Sequence, residues 1–215
     1  IYGVEGTGYG PDGAVCIDGE PIDTDGTPLL KALGRVALLC NDAVLKSDNG
    51  IHEVDGDPTE GALLAMGNRI GLYRRILEDQ IVRTDSIPFE SEHRFMATLN
   101  HDHDGNGFIY VKGAPERVLA FCDQQRDGEQ NAPLDQAFWE AQMAAAAERG
   151  LRVLALARRI GTVEGADMRV VETAVLDRLR RAVRGFERLL LGHGASCSRA
   201  ASSSAAASSS STAAS

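Results

Sequence analysis

A lysine at the end of a β-branched run and an acid at the start of a helix are the side chains of this sequence best placed to act on a ligand. In "YVKGAPERVL", Lys112 follows Tyr110 and Val111 and precedes Gly113 and Pro115. Glycine admits close neighbours and proline suits the first turn of a helix, so a strand gives way to a helix there. The result is an ammonium group beside a position without a side chain, a setting open to a flat ligand and also common to ordinary turns. In "GDPTEGALL", Asp57 is a good N-cap, Pro58 fits the first helical position and Glu60 falls three residues after the cap, the spacing of a capping box. Glu60 is therefore either a cap partner or a ligand contact, and the local pattern leaves both open.

Other groupings imitate known chemistry. "DHDGNG" puts Asp102, Asp104, Asn106 and Gly107 at the first, third, fifth and sixth positions of an EF-hand loop, but Gly113 stands at the twelfth, where a bidentate glutamate is needed. A calcium-binding module and a ligand-free acidic interaction module are the two alternatives that the residues leave open. His101 and His103 alternate onto one side of a strand end, as metal ligands or as exposed turn residues. Gly6, Gly8 and Gly10 suggest a phosphate loop, yet Pro11-Asp12-Gly13 turns the chain into "AVCI" rather than into a helix N-terminus. Cys16, Cys40, Cys122 and Cys197 contain no C-x-x-C pair, which argues against zinc or a disulfide framework and fits a reducing compartment.

The elements that must position these residues follow from periodicity and punctuation. "VEGTGYGPDGAV" reads as strand, turn and return strand, and residues 29–39 have helical apolar spacing. A helix starts at Asp57. From Asp85 the pattern becomes β: "DSIPF", then "FMATLN", a turn-rich "NHDHDGNG", and "FIYVK" as the second arm of a hairpin. Residues 114–121 form a helix opened by Pro115, and residues 135–149 another closed by Gly150. "LRVLALARR" is a nearly continuous apolar strand of the kind covered on both faces.

Length and charge bound the function. The chain has 215 residues and 43% hydrophobic content, enough for one good core. Residues 1–148 hold 11 basic and 26 acidic side chains, net −15, and residues 149–215 hold 11 and 5, net +6, which together give −9. An acidic body repels phosphate backbones, so nucleic acid is not an expected partner. No apolar run approaches the roughly 20 residues that span a bilayer. The opening Ile1-Tyr2-Gly3 has neither an initiator methionine nor the form of a signal peptide, so the sequence reads as a piece of a longer chain. We divide it into a main domain over 1–160, an arginine-rich helical segment over 161–194 and a disordered Ala/Ser-rich tail over 195–215.

Taken in order, "VEGTGYGPDGAV", "LCNDA", "GDPTEGALL", "IPFESEHRFMATL", "YVKGAPERVL" and "ERGLRVLALA" resemble the nucleotide-binding domain of P-type cation-transporting ATPases, most like the calcium-pump-like branch. The resemblance covers about residues 1–160, and "KGAPE" together with "DPTE" is its most specific part. It implies an α+β fold, a twisted antiparallel sheet flanked by helices. It implies that the domain carries ATP, with Mg²⁺ on the phosphates, to an aspartate of a neighbouring phosphorylation domain. The implied partners are the phosphorylation and actuator domains of a parent pump, and the implied location is a cytoplasmic domain of an integral membrane protein, itself without membrane contact.

Position by position, the resemblance makes Phe89 the ring that stacks on adenine, Glu60 the acid near its amino group and Lys112 the lysine lining the pocket. Gly113 and Ala114 would leave room for the base, and Arg94 and Arg152 would meet phosphate, which guanidinium groups engage at two oxygens at once. Read without the family, Phe89 is a core phenylalanine after Pro88 and Arg152 a surface charge at a strand start. The D-K-T-G-T segment, the hinge motifs and the membrane helices of the family are absent, so no catalytic residue and no metal ligand is expected here. Residues 161–194 do not follow the family pattern.

Overall fold

Turn chemistry shapes the first quarter of the chain. The computed structural model describes residues 2–128, 130–162 and 187–192. Strands β1 (Tyr2–Val4), β2 (Val15–Ile17) and β3 (Glu20–Pro21) form a small antiparallel sheet. The glycine-rich connection between β1 and β2 wraps the side chain of Arg69, whose Nη2 donates to the Gly8 carbonyl at 2.9 Å. Gly6, at φ +135°, lies so close that a Cβ would sit 2.6 Å from the guanidinium carbon, so its glycine serves this clasp.

Helix α1 (Pro28–Leu39) follows, then the hairpin β4 (Val44–Asp48) and β5 (Ile51–Asp55), helix α2 (Pro58–Arg69) and a short α3 (Arg74–Glu78). The main sheet takes up β6 (Ile81–Ile87), β7 (Phe95–Asp102) and β8 (Asn106–Gly113). Then come α4 (Pro115–Leu119), the hairpin β9 (Gln124–Asp127) and β10 (Gln130–Pro133), α5 (Gln136–Glu148), β11 (Val153–Thr162) and β12 (Glu187–Gly192). The five-stranded sheet has the order β12-β11-β8-β7-β6, and each neighbouring pair is antiparallel. The expected α+β class, an antiparallel sheet with helices beside it, is the class observed.

The sheet has a core on each face. Under α1 and α2 lie Met96, Tyr110 and Leu156 with Val36, Leu38, Leu63 and Ile70; under α4 lie Phe95, Ala97, Val111 and Ala155 with Val118 and Phe121. Alternation puts neighbours of one strand on opposite faces, so Met96 and Phe95 serve different cores. Strand β6 breaks this phase. A register shift between Arg83 and Asp85 inserts an extra residue, and in consequence Ile81 joins the first core and Ile87 packs against the second.

Several expectations need correcting. Residues 187–192 were expected to be helical, but they pair as a strand along β11, because a continuous apolar strand such as Val153–Thr162 offers a ladder that outweighs local helix preference. The rest of the 161–194 segment beyond Thr162, and the tail over 195–215, lie outside the described residues. Hairpins β4–β5 and β9–β10 and helix α3 were not anticipated, although Asn49-Gly50, with φ of 48° and 80°, is a strong hairpin signal.

Candidate functional site

The strand register gathers residues that lie far apart in sequence. Phe95 pairs with Gly113, and Gly113 with Ala155, so β7 begins, β8 ends and β11 begins at one end of the sheet. Arg94 therefore precedes β7, Lys112 and Gly113 close β8 with Ala114 just beyond, Arg152 precedes β11, and Phe89 lies just past the end of β6, all at that end. Helix α2 brings Glu60 to the same place from one face.

Lys112 and Glu60 form an ion pair through Nζ and Oε1. Their side chains keep 6% and 15% of their surface exposed, so the pair is largely removed from water. Two more donors fix the carboxylate: Oε2 accepts the N–H of Asp42 at 3.1 Å and that of Ala43 at 3.0 Å. The cap of α2 is made by Asp57 alone, whose Oδ1 accepts from Thr59 and Glu60 N–H at 2.8 and 3.2 Å. The side chain of Glu60 thus bonds Lys112 and the turn after α1 rather than closing a reciprocal capping box. A carboxylate offers about four lone-pair sites; three donors here leave about one.

The turn after α1 is itself built on buried polar groups. Asn41, fully buried, donates from Nδ2 to the carbonyls of Ala37 and Glu60 and accepts the Ala43 N–H at Oδ1. Cys40 is a buried free thiol whose Sγ donates to the Met96 and Tyr110 carbonyls, both at 3.6 Å. Burial pushes its pKa up to about 11, against the lowering pull of Lys112 and Arg83, so the thiol is an inert packing group. Sequence reasoning quoted "LCNDA" but gave no role to Asn41 or to Arg83, whose guanidinium donates to the Leu39 and Asn41 carbonyls and to Asp42.

The rim is looser. Phe89 is 53% exposed, so it is not the core phenylalanine that its place after Pro88 allows. Arg94 has φ +59°, a left-handed conformation unusual for a side-chain-bearing residue, and its carbonyl accepts the Ala114 N–H at 2.9 Å. Its guanidinium pairs with Glu116 at 2.6 Å, with half of each side chain exposed. Arg152 is exposed. Its charge is one of the influences on Asp57: desolvation raises that carboxyl's pKa, but the Thr59 and Glu60 donors and Arg152 together bring it below the ordinary value.

Gly113 has a reason to be glycine in the strand beside it. A Cβ there would lie 2.5 Å from the Arg94 carbonyl and 2.7 Å from Phe95 Cα, so the missing side chain makes room for strand β7. Ala114 is likewise tied by its backbone to Arg94.

Elsewhere, the Asp102 carboxylate accepts from Asp104 N–H, Asn106 N–H and Asn106 Nδ2, and the Asn106 side chain leads in holding its pKa below the usual value. The loop that imitates a calcium site is a self-satisfied turn. His101 bonds Thr84 and His103 the Asp79 carbonyl. Among the described residues no three His, Cys, Asp or Glu side chains gather as a metal site. A separate open cleft of about 380 Å³ lies between α1, β4, α2 and α3 over Leu38, Leu45 and Leu64, and holds none of the expected ligand residues.

Fold and site together define an α+β domain that presents a dry lysine–glutamate pair at one end of an antiparallel sheet, with an aromatic ring and arginines at its rim. The family model that matches residues 29–179 is the P-type ATPase cytoplasmic domain N, and the chain belongs to that family. The match ends inside the segment expected to depart from the family. Relatives include the cation-transporting ATPase pma1 of Synechocystis, 42% identical over 170 residues, which are 76% of this chain and 18% of that protein. The probable cation-transporting ATPase F of Mycobacterium tuberculosis is 34% identical over 171 residues, 77% of this chain and 19% of that protein. The calcium-transporting ATPase type 2C member 1 of Bos taurus is 32% identical over 160 residues, 72% and 16%. The chain thus spans under a fifth of the length of these relatives. No described helix is long and apolar enough to cross a membrane.

Proposed function

We propose that this chain is the ATP-binding domain of a P-type cation-transporting ATPase and presents ATP to an aspartate on the phosphorylation domain of the same pump. The observation that carries this reading is the buried Lys112–Glu60 pair at the same end of the sheet as an exposed Phe89. A half-exposed phenylalanine at a strand end is a stacking platform, worth ~1–3 kcal/mol per base. The one acceptor site left on Glu60 suits the adenine amino group, and Lys112, paired with that carboxylate, adds positive charge beside the base. Gly113 holds β8 tight against β7, so that the pocket floor is backbone.

Arg152 and Arg94 are the groups for the phosphates. Arg152 stands exposed and near Asp57. Arg94 is paired with Glu116 and would exchange that exposed carboxylate for a phosphate, a modest cost for a surface pair. Both are cations and neither would ligate a metal, so Mg²⁺ would belong to the nucleotide substrate, where it would supply charge neutralisation for phosphoryl transfer. The actuator and phosphorylation domains of the pump supply what this domain lacks. The transfer itself needs an acceptor aspartate in a D-K-T-G-T setting, which is not in the sequence.

Calorimetric titration of the 215-residue chain with ATP, with phosphate release followed in parallel, tests the proposal. Saturable binding without phosphate above the buffer blank is the expected outcome. An absence of ATP binding by the folded chain defeats the reading.

A further inference from the structure

Glu60 does not find its orientation unaided. Its Oε2 rests on the N–H groups of Asp42 and Ala43, in the turn that follows the C-terminus of α1. Helix C-termini leave their last carbonyls without intrahelical partners and concentrate negative charge there. Arg83 answers both needs. Its Nη2 donates to the Leu39 carbonyl at 2.9 Å and to the Asn41 carbonyl at 2.7 Å, and its Nη1 to Asp42 Oδ1 at 2.7 Å. Two of these three bonds fall on Asn41 and Asp42, the residues immediately before the two N–H groups that hold Glu60, and the third ties the same guanidinium to the last residue of α1. The bulge in β6 lets Arg83 do this: Arg83 pairs with Asn100 on the α1 face of the sheet, whereas Asp85, beyond the bulge, pairs with Leu99 of the opposite phase.

We infer that Arg83 is a positioning residue for base recognition, acting through the Asn41–Ala43 turn on the carboxylate of Glu60. The inference rests on the reading of Glu60 as the acid that meets the adenine amino group. Arg83 itself makes no contact with Glu60 or Lys112 among the bonds described; its side chain is 28% exposed and can be changed without opening a sealed core. Asp42 alone is a lesser fastening, because its bond to Arg83 is half in water, while the two carbonyl bonds are partly buried. The consequence belongs to specificity. A Glu60 that wanders should lose the preference for a base that donates from its six-position, adenine, over one that accepts there, guanine, more than it loses phosphate binding.

The test uses the full 215-residue chain as wild type, Arg83→Met and Arg83→Lys. Each is titrated calorimetrically with ATP and with GTP well below its melting temperature, and each melt is recorded. Wild type is expected to prefer ATP. In Arg83→Met, ATP should bind roughly tenfold more weakly while GTP changes less than about twofold, the loss of one well-placed bond to a charged group. Arg83→Lys, which keeps a cation able to reach one carbonyl and Asp42, should recover part of the preference. An Arg83→Met variant that keeps the ATP-over-GTP ratio of wild type overturns the inference alone, whether or not its melt falls, because a merely structural role lowers stability without changing base choice. A folded wild type that binds neither nucleotide overturns the reading of the site and this inference with it.

Discussion

Lys112–Glu60 and Arg94–Glu116 are both cation–carboxylate pairs at one end of the same sheet, yet the first keeps 6% and 15% of its side-chain surfaces exposed and the second 51% of each. The inner pair is also tied to backbone, through the Asp42 and Ala43 N–H groups on Glu60, while the outer pair is a single contact across a rim. Burying charge is costly unless partners satisfy it, and a buried pair that loses one member leaves an uncompensated charge behind. An exposed pair is screened and worth little. The inner pair is therefore fixed when the domain folds, as the proposed recognition of the base requires. The outer pair is an exposed contact that the proposed phosphate site would have to open.

Perturbing the inner pair should give the largest effect. Lys112→Ala leaves Glu60 buried without its cation and should cost ~3–5 kcal/mol in denaturant unfolding; a cost under about 1 kcal/mol would mean that water reaches the pair and that the contrast with the rim is false. The double variant Lys112→Met with Glu60→Leu should recover much of that stability while remaining poor at binding ATP. Phe89→Ala comes next. With half its ring in water, it should leave the melt nearly unchanged and weaken ATP roughly 5- to 150-fold, from ~1–3 kcal/mol of lost stacking. The smallest effect is expected of Arg94→Ala, which should change stability by at most about 1 kcal/mol and less still in high salt. A larger loss would show that the left-handed kink at Arg94, rather than its charge, matters to the fold.

How much of this was legible in the sequence differs between the two pairs. The end of β8 and the start of α4 were marked by Gly113 and Pro115, and the start of α2 by Asp57 and Pro58, so Lys112 and Glu60 could each be placed locally. Their meeting could not, because α2 and β8 are joined only by tertiary packing, and because a capping box explains Glu60 equally well from spacing. Phe89, Arg94 and Arg152 were visible through the family resemblance, and nothing in their neighbourhoods sets them apart. Arg83 was invisible because a bulge, a feature of the β6–β7 register, decides which face it takes. The same limit applies to β12: the apolar run in "ERLLLG" suits a strand only once β11 is known to have an open side. Gly113 was legible as a glycine with a purpose, but the purpose lies in the strand beside it.

The most direct test of the account is a map of where the base lands. In heteronuclear NMR of the 215-residue chain titrated with ATP, the shifts should be largest at Phe89, Glu60 and Lys112 to Ala114, with weaker ones at Arg152 and through Asp42 and Ala43. AMP should reproduce the first group and lose the response at Arg152. Shifts centred instead on the cleft over Leu38, Leu45 and Leu64, with Phe89 and Lys112 unmoved, would contradict it.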